Sequence, residues 1–560
     1  MSSGSLLILA AKSGEDTYLT GNPQISFFKS VYKKYTNFVT QLNKISIPKS
    51  NLSYTRQTIC NVIIPKNGDL LSKIFIGFTL PNIYSDSDNK FRWIKYLGNN
   101  FIEKAIIYIN GQQISELSGE YITICNELNL DENKKKLYYD LIGHDIILNQ
   151  PEQAYSRNGY YPNSANSSSD ILNYNKPPSI ESRTIYTPLN FWFCNNTGLA
   201  LPLISLQSSE IRIEFTFRPL YQLYQLYDST TNTYLQPNLG NNTQSLNNFM
   251  STKVYPAIPL NIDYDYNFNI HLEATYIHLD NAERTLFATK SHEYLIKTVK
   301  KISHNSLSPG VISLDIKAGH PVSEIIITSQ RSDFQTRNDY DNYTNWPDVS
   351  RPSWQQIYYL PEYNKIAGSI EISQNSYWDY NTGNQNTIRF IRDPVSGALL
   401  VQKYYSGQYN TIYRFDSDSE TNPVLPDDLI NVNISQYYEN QTKDIIKTLQ
   451  IYLDGKQLLS EDIGRGTAFF TKLQPYIYHK SNSLEGILVH SFSLNPSDDI
   501  QPSGSANLSV INKLTLKINT VLPKQTQVGI YDYNFNFNVY LISYNILSIQ
   551  AGMGGLKFAL

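Results

Sequence analysis

Cysteine is nearly absent from this chain: Cys60, Cys125 and Cys194 are the only three among 560 residues. An odd, sparse set argues against a disulfide framework and suits a reducing compartment. Charge is scarce as well. Asp, Glu, Lys and Arg make up 17% of the chain, below the roughly 25% of an average soluble domain. The two signs nearly cancel, leaving a formal net charge of −3. The basic footprint of a bulk nucleic-acid binder is missing, and the run Lys134-Lys135-Lys136 reads as solvated surface. No apolar run approaches the ~18–20 residues that a membrane span needs. Leu6-Leu7-Ile8-Leu9-Ala10-Ala11 has the look of a short signal core. It lacks a basic flank and runs straight into Lys12-Ser13-Gly14-Glu15-Asp16, so a cleaved signal is not expected.

Catalytic signatures are equally thin. His292-Glu293-Tyr294-Leu295-Ile296 begins like a zinc-protease motif, but Ile296 stands where the second histidine ligand is needed one helical turn on. Gly552-Met553-Gly554-Gly555 and Gly464-Arg465-Gly466-Thr467 are glycine-rich, yet neither has the spacing of a phosphate loop, and the second lacks its lysine. No Gly-x-Ser-x-Gly elbow occurs. Asp427-Asp428 and Asp498-Asp499 are carboxylate pairs of the kind usually solvated in loops; a glycosidase needs a set separation in space. The expectation is no enzyme, no metal and no cofactor. Asn166, Asn342 and Asn440 open Asn-x-Ser/Thr sequons and are candidate glycan acceptors, although so Asn-rich a chain produces sequons by chance.

What the chain has in abundance is strand and turn chemistry. Tyr occurs 44 times and Met only 3, and polar weight rests on Asn, Ser, Thr, Gln and Tyr. Tyr, Thr, Ile and Val favour strands, whereas Asn and Gly favour turns, so the chain reads as all-β. At roughly 100–200 residues per domain the length alone suggests three or four domains, and at about 200–250 per β-sandwich it suits two. From Ile262 to His278, residues alternate: Tyr264, Tyr266, Phe268, Ile270, Leu272, Ala274 and Tyr276 share one face. The same happens over Tyr531, Tyr533, Phe535, Phe537, Val539 and Leu541. A period of two over such lengths predicts half-buried strands.

Three pairs of segments repeat in the same order along the chain. Gly68-Asp-Leu-Leu-Ser-Lys-Ile-Phe-Ile answers Gly319-His-Pro-Val-Ser-Glu-Ile-Ile-Ile. Ile107-Tyr-Ile-Asn-Gly-Gln-Gln answers Ile451-Tyr-Leu-Asp-Gly-Lys-Gln, with hairpin dipeptides Asn110-Gly111 and Asp454-Gly455. Asp265-Tyr-Asn-Phe-Asn-Ile answers Asp532-Tyr-Asn-Phe-Asn-Phe. Together they indicate that the second half repeats the fold of the first with different loops. Asp280 to Lys297 is the best helix candidate and is placed at the junction. Polar stretches around 150–182, 225–252, 330–360 and 374–440 read as surface loops, long enough to be functional or mobile.

The segment from Tyr18 to Phe38, with Gly21-Asn22-Pro23 and Phe27-Phe28-Lys29, resembles the N-terminal signature of major capsid proteins of nucleocytoplasmic large DNA viruses. Further family-like segments follow in order. They are Gly111-Gln-Gln-Ile with Gly119-Glu-Tyr and Asn126-Glu-Leu, Pro188-Leu-Asn-Phe-Trp-Phe-Cys through Ile204, and Leu279-Asp-Asn-Ala-Glu-Arg with His292-Glu-Tyr-Leu-Ile. Later come Gln501-Pro-Ser-Gly-Ser-Ala-Asn-Leu-Ser509 and Gly552-Met-Gly-Gly-Leu556. The match is thinnest over about 310–440, and Asn281-Ala282 departs from the Thr and acidic residue that relatives tend to carry.

The resemblance implies a double jelly roll: two eight-stranded antiparallel β-sandwiches side by side with long loop insertions. With the junction at the helix candidate, the chain divides into an N-terminal arm and start of the first sandwich (1–38), a first jelly roll (39–280), a helical linker (281–297), a second jelly roll (298–545) and a C-terminal tail (546–560). The resemblance also implies a homotrimer forming a pseudo-hexagonal capsomer in an icosahedral shell, assembled in the host cytoplasm. The partners it implies are neighbouring capsomers and minor capsid and penton proteins. The arm, through Gly21, Asn22, Pro23, Phe27, Phe28, Lys29 and Tyr32, is expected at the inner base, the alternative being an ordinary first strand and turn of the first sandwich. The loops are expected to form an outer crown, whose chemistry suits glycans or host surfaces and equally loop-to-loop contacts within the trimer. No direct contact with nucleic acid and no membrane span are expected. The rival readings are a minor capsid paralogue, a β-sandwich receptor- or glycan-binding virion protein, and a glycan-active enzyme.

Overall fold

The computed structural model describes residues 14, 17–48, 51–85, 89–157, 159–164, 177–229, 233–250, 265–347, 443–459, 466–482, 484–511, 513–523 and 531–558, together with the backbone of four strands between 375 and 415. Strands carry the architecture. The first half contributes β1 (Phe38–Ser46), β2 (Thr58–Ile63), β3 (Leu70–Thr79), β4 (Ile102–Ile109), β5 (Gln112–Ser118), β6 (Thr184–Pro188), β7 (Ile211–Phe217) and β8 (His271–Leu279). The second contributes β9 (His292–Leu307), β10 (Val311–Ile316), β11 (Pro321–Arg331), β12 (Ile446–Leu453), β13 (Lys456–Gln457), β14 (Leu488–Ser491), β15 (Leu514–Thr520) and β16 (Phe535–Gln550).

The two halves have the same topology. In the first, one sheet runs β1-β8-β3-β6 and the other β2-β7-β4-β5. In the second, the sheets run β9-β16-β11-β14 and β10-β15-β12-β13. Each of these sixteen strands has its counterpart eight places on, and every pairing among them is antiparallel. Two sandwiches of two four-stranded sheets, each with this strand order, make a double jelly roll.

The repeated segments fall at matching places. The Gly68 and Gly319 segments lead into β3 and β11, and the Asp265 and Asp532 segments lead into β8 and β16. The Ile107 and Ile451 segments form the β4–β5 and β12–β13 hairpins. Both have two-residue turns with positive φ throughout, at Asn110 (51°), Gly111 (78°), Asp454 (45°) and Gly455 (78°). That geometry matches the right-handed twist of the flanking strands and favours Asn-Gly and Asp-Gly.

Alternation builds the cores. In β7, Ile211, Ile213, Phe215 and Phe217 are fully buried while Arg212, Glu214 and Thr216 are only partly covered. Each such buried side chain contributes about 1.5–3 kcal/mol relative to exposure. β15 repeats the pattern with Leu514, Leu516 and Ile518. The second core stays within its own sandwich. The first extends across the junction to Ile326, Tyr540, Ile542 and Leu547. β16 is therefore buried on both faces from Phe537 to Leu541, including Asn538 on the face expected to meet solvent.

Several expectations need correction. The alternating run from Ile262 is not one strand. Asp265–Asn267 pairs with Asn51–Ser53, the chain then turns at Asn269 (φ 51°), and β8 begins at His271. The Asn267 side chain accepts the Asn269 amide at 2.9 Å, closing that turn. The faces still alternate, with Tyr266, Phe268, Ile270, Leu272, Ala274 and Tyr276 all buried; Ile262 and Tyr264 lie outside the described residues.

The helix at the junction does not reach Lys297. Helix Asn281–Thr289 is capped by Asp280, whose carboxylate accepts the Glu283 amide at 2.9 Å. From His292 the chain is β9, a 16-residue strand zipped onto β16. Long-range pairing there overrides a helix-compatible local pattern. The region 225–252 is not plain loop either: Tyr224–Asp228 pairs with Thr233–Leu235 and with Phe91–Trp93. Within 374–440, Asn375–Asp379, Asn384–Arg392, Leu399–Tyr405 and Gln408–Phe415 form a four-stranded antiparallel sheet.

The C-terminal tail (546–560) contains the end of β16. β16 runs to Gln550, turns through Ala551 and Gly552, and pairs back along Met553–Leu556. The Gly552 carbonyl accepts the Ser208 amide at 3.1 Å, which ties the end of the second half to the first. The glycines permit this approach: a Cβ on Gly554 would lie 2.6 Å from Leu206 Cδ2.

Candidate assembly surfaces

The arm stands clear of the body. Thr17–Thr20 forms one helical turn, closed where the Gly21 amide donates to the Thr17 carbonyl at 2.8 Å. Asn22 takes a left-handed φ of 49°, and Pro23 prevents helix continuation. No helix or strand follows until Phe38, and every residue from 17 to 37 is exposed. Phe28 is 100% exposed, Phe27 91% and Tyr32 83%, with Ile25, Val31 and Tyr35 also open. An exposed apolar cluster of this kind on a folded chain marks an interaction surface. The residues named from sequence therefore share one accessible segment.

The cluster continues into β1, where Val39 (63%) and Leu42 (62%) are exposed on a strand whose first five residues are uncovered. β1 and β9 are edge strands of equivalent sheets. A strand edge carries unpaired backbone groups that proteins normally cover. This patch was not legible residue by residue, because only the sheet order tells an edge from a centre.

The junction between the sandwiches is held by buried polar groups. Helix Gly119–Asn129 starts at Ser118, whose hydroxyl accepts the Tyr121 amide at 3.2 Å. Glu120, in its first turn, reaches into the second half. Its carboxylate accepts from Lys301 Nζ (2.7 Å), Thr328 Oγ1 (3.0 Å) and Asn538 Nδ2 (3.0 and 3.1 Å). Burial pushes this carboxyl up, but the Lys301 charge and the hydrogen bonds from Lys301 and Asn538 outweigh it and hold it below its ordinary value. His479 bridges a second point: Nε2 lies 2.6 Å from Glu324 Oε1 and Nδ1 3.2 Å from Asn129 Oδ1. Asn100 donates to Asp341 at a third, and there burial pushes the Asp341 carboxyl up to about 8. Beside the Glu120 cluster lies a cleft of about 480 Å³ between β5 and β9, lined by Ser115, Glu116, Lys300 and His320.

The chemical motifs resolve into structure. His292 opens β9, with Nε2 2.9 Å from the Phe287 carbonyl and its ring stacked on Phe287. Asp499 pairs with Lys297 at 2.9 Å, and Asp498 accepts the Ile500 amide; Asp427 and Asp428 lie outside the described residues. The three cysteines form no disulfide, and burial pushes Cys125 up to about 11 and Cys194 up to about 12. Among the described residues, no three His, Cys, Asp or Glu side chains are grouped to hold a metal, and no helix is long and apolar enough to cross a membrane. The glycan assignment at Asn342 is corrected. The residue is 4% exposed, and Nδ2 donates to Asp339 Oδ2 and to the Trp346 carbonyl, both at 2.9 Å. A sugar on that nitrogen would break this packing. Asn166 and Asn440 lie outside the described residues.

Comparison with known proteins agrees with this architecture. The chain superposes on the PBCV-1 virus capsid with a TM-score of 0.57 at 19% identity, over 96% of this chain and 100% of that one. The Faustovirus major capsid protein gives 0.58 at 13% identity, over 96% and 95%. At such identities the likeness establishes the fold, that of the double jelly-roll capsid proteins. Sequence goes further. The model for the major capsid protein N-terminus matches residues 26–280, and that for the large eukaryotic DNA virus major capsid protein matches 283–555. The chain is 28% identical to the major capsid protein of Phaeocystis pouchetii virus, with 99% of each chain covered, and 24% identical to that of Paramecium bursaria Chlorella virus 1, again with 99% of each. The chain belongs to the family of large eukaryotic DNA virus major capsid proteins.

Proposed function

We propose that three copies of this chain close into a pseudo-hexagonal capsomer that tiles the icosahedral shell of a large DNA virus. The observation that carries this reading is the strand-for-strand duplication. A threefold ring of two-lobed chains presents six similar walls, so one block can meet six neighbours, and cyclic closure limits the ring to a fixed size. The uncovered arm and the β1 edge supply contacts between chains and with minor capsid and penton proteins at the inner base. Outer loops rich in Tyr, Asn and Ser face glycans or a host surface, since aromatic rings with polar tips suit both stacking and hydrogen bonding. Assembly takes place in the host cytoplasm. The working division is an arm to residue 38, a first jelly roll over 39–280, and a second that takes in β9 from His292 and β16 to Gln550, with helix Asn281–Thr289 between them.

Light scattering after size exclusion tests the trimer. Three times 64.1 kDa is 192.3 kDa, and a species of that mass that persists on dilution is expected, with a hexagonal outline in electron micrographs. A well-folded monomer that stays at 64.1 kDa would overturn self-sufficient capsomer formation and favour a low-copy minor capsid paralogue that needs partners.

A further inference from the structure

The arm has a chemistry that protein contact alone does not account for. From Thr17 to Asn37 it carries Lys29, Lys33 and Lys34 and no acidic residue, a charge of +3 in a chain of net −3, so the remainder carries −6. These lysines alternate with exposed apolar groups: Ile25 (68%), Phe27 (91%), Phe28 (100%), Val31 (78%), Tyr32 (83%) and Tyr35 (83%). Protein interfaces enrich aromatic residues but are depleted in lysine. Single-stranded nucleic acid would use the rings and the cations, but it offers nothing to Ile25 and Val31. A bilayer surface uses all of them. Aromatic and aliphatic side chains settle at the headgroup boundary, and lysines lie along it with their ammonium groups against lipid phosphate. The segment is too short and too charged to span.

We infer that the exposed segment Ile25–Tyr35 is a reversible docking site for an anionic lipid surface. The acidic remainder of the chain is repelled by the same surface, which leaves the arm as the part that approaches. Where the chain is trimeric, three arms act together and avidity rises without new contacts.

The test is flotation of the full-length protein with vesicles of phosphatidylcholine alone and of phosphatidylcholine with phosphatidylserine, at low and high salt. Binding is expected to the anionic vesicles and to weaken with salt. Each juxtamembrane lysine contributes roughly fivefold. The triple variant K29Q/K33Q/K34Q should therefore lose binding on the order of 100-fold by the same rule, and F27S/F28S should lose it as well. Both variants should keep the wild-type circular dichroism, because the altered side chains are exposed. Equal binding to neutral and anionic vesicles, wild-type binding by the triple variant, or preference for single-stranded DNA over vesicles would each overturn the inference. Mass measured on the same preparation separates the two proposals. A trimer that ignores vesicles refutes the lipid site alone, and a monomer that floats refutes the trimer alone.

Discussion

Replacing Glu120 with Ala should loosen the junction between the sandwiches more than any exposed substitution. Glu120 takes hydrogen bonds from Lys301, Thr328 and Asn538, all in the second half of the chain. Thr328 is 0% exposed and Asn538 8%, so both lose partners that water cannot replace. Breaking a buried ion pair from one side costs about 3–5 kcal/mol, and a third of the Lys301 side chain remains exposed, so the lower end, about 3 kcal/mol, is expected. Glu120→Gln keeps the shape and one acceptor and should cost about half as much, near the 1.5–3 kcal/mol typical of a charge-assisted hydrogen bond. Urea unfolding followed by tryptophan fluorescence measures this, since Trp93 and Trp192 lie in the first sandwich. A double-mutant cycle with Lys301→Met isolates the pair, and a coupling above about 1 kcal/mol is expected for contacting residues. The pH dependence has a definite sign. The folded Glu120 carboxyl is held below its ordinary 4.5, so its contribution is present in full above that value and is lost as pH falls through the lower folded pKa. If Glu120→Ala unfolds within about 0.5 kcal/mol of the wild type, the typical range of neutral surface changes, the network does not hold the halves together.

Asp341 should behave in the opposite sense. Its folded pKa is raised from 3.8 to about 8, so the native state holds a proton that the unfolded chain releases, and stability declines as pH rises between those values. Asp341→Asn should flatten the urea midpoint between pH 5 and 9 and raise it at the alkaline end; an unchanged slope would refute the assignment. Gly119→Ala should fail to yield soluble protein, because its Cβ would lie 2.1 Å from the Asn99 carbonyl oxygen and 2.3 Å from that of Ile102. Phe470→Ala, which empties a fully buried position in the second core, should cost about 3–5 kcal/mol in the same assay.

Strand chemistry and the internal repeat were legible because both are local. A period of two marks a half-buried strand whatever it pairs with, and Asn110-Gly111 and Asp454-Gly455 name their own turn. The arm was expected from the family resemblance of the segment Tyr18 to Phe38, since Gly21-Asn22-Pro23 by itself suits an ordinary first turn as well. The strand from His292 was not. His292–Leu307 has no strict alternation, and its extended form comes from β16, which lies more than two hundred residues away in sequence. Glu120 gave no signal either: a carboxylate in the first turn of a helix is ordinary there, and only the docking of β9, β11 and β16 makes it a junction residue.

The amino-acid sequence by itself determined that the chain is all-β, that it is built twice, and where its hairpins turn, since periodicity and turn preference act over a few residues. Tertiary structure alone decided which strands are edges, that β16 is buried on both faces, that Asn342 is enclosed, and that Glu120, His479 and Asp341 hold the halves together. Those properties arise when segments hundreds of residues apart exclude water from one another, and no local pattern encodes which segments will meet.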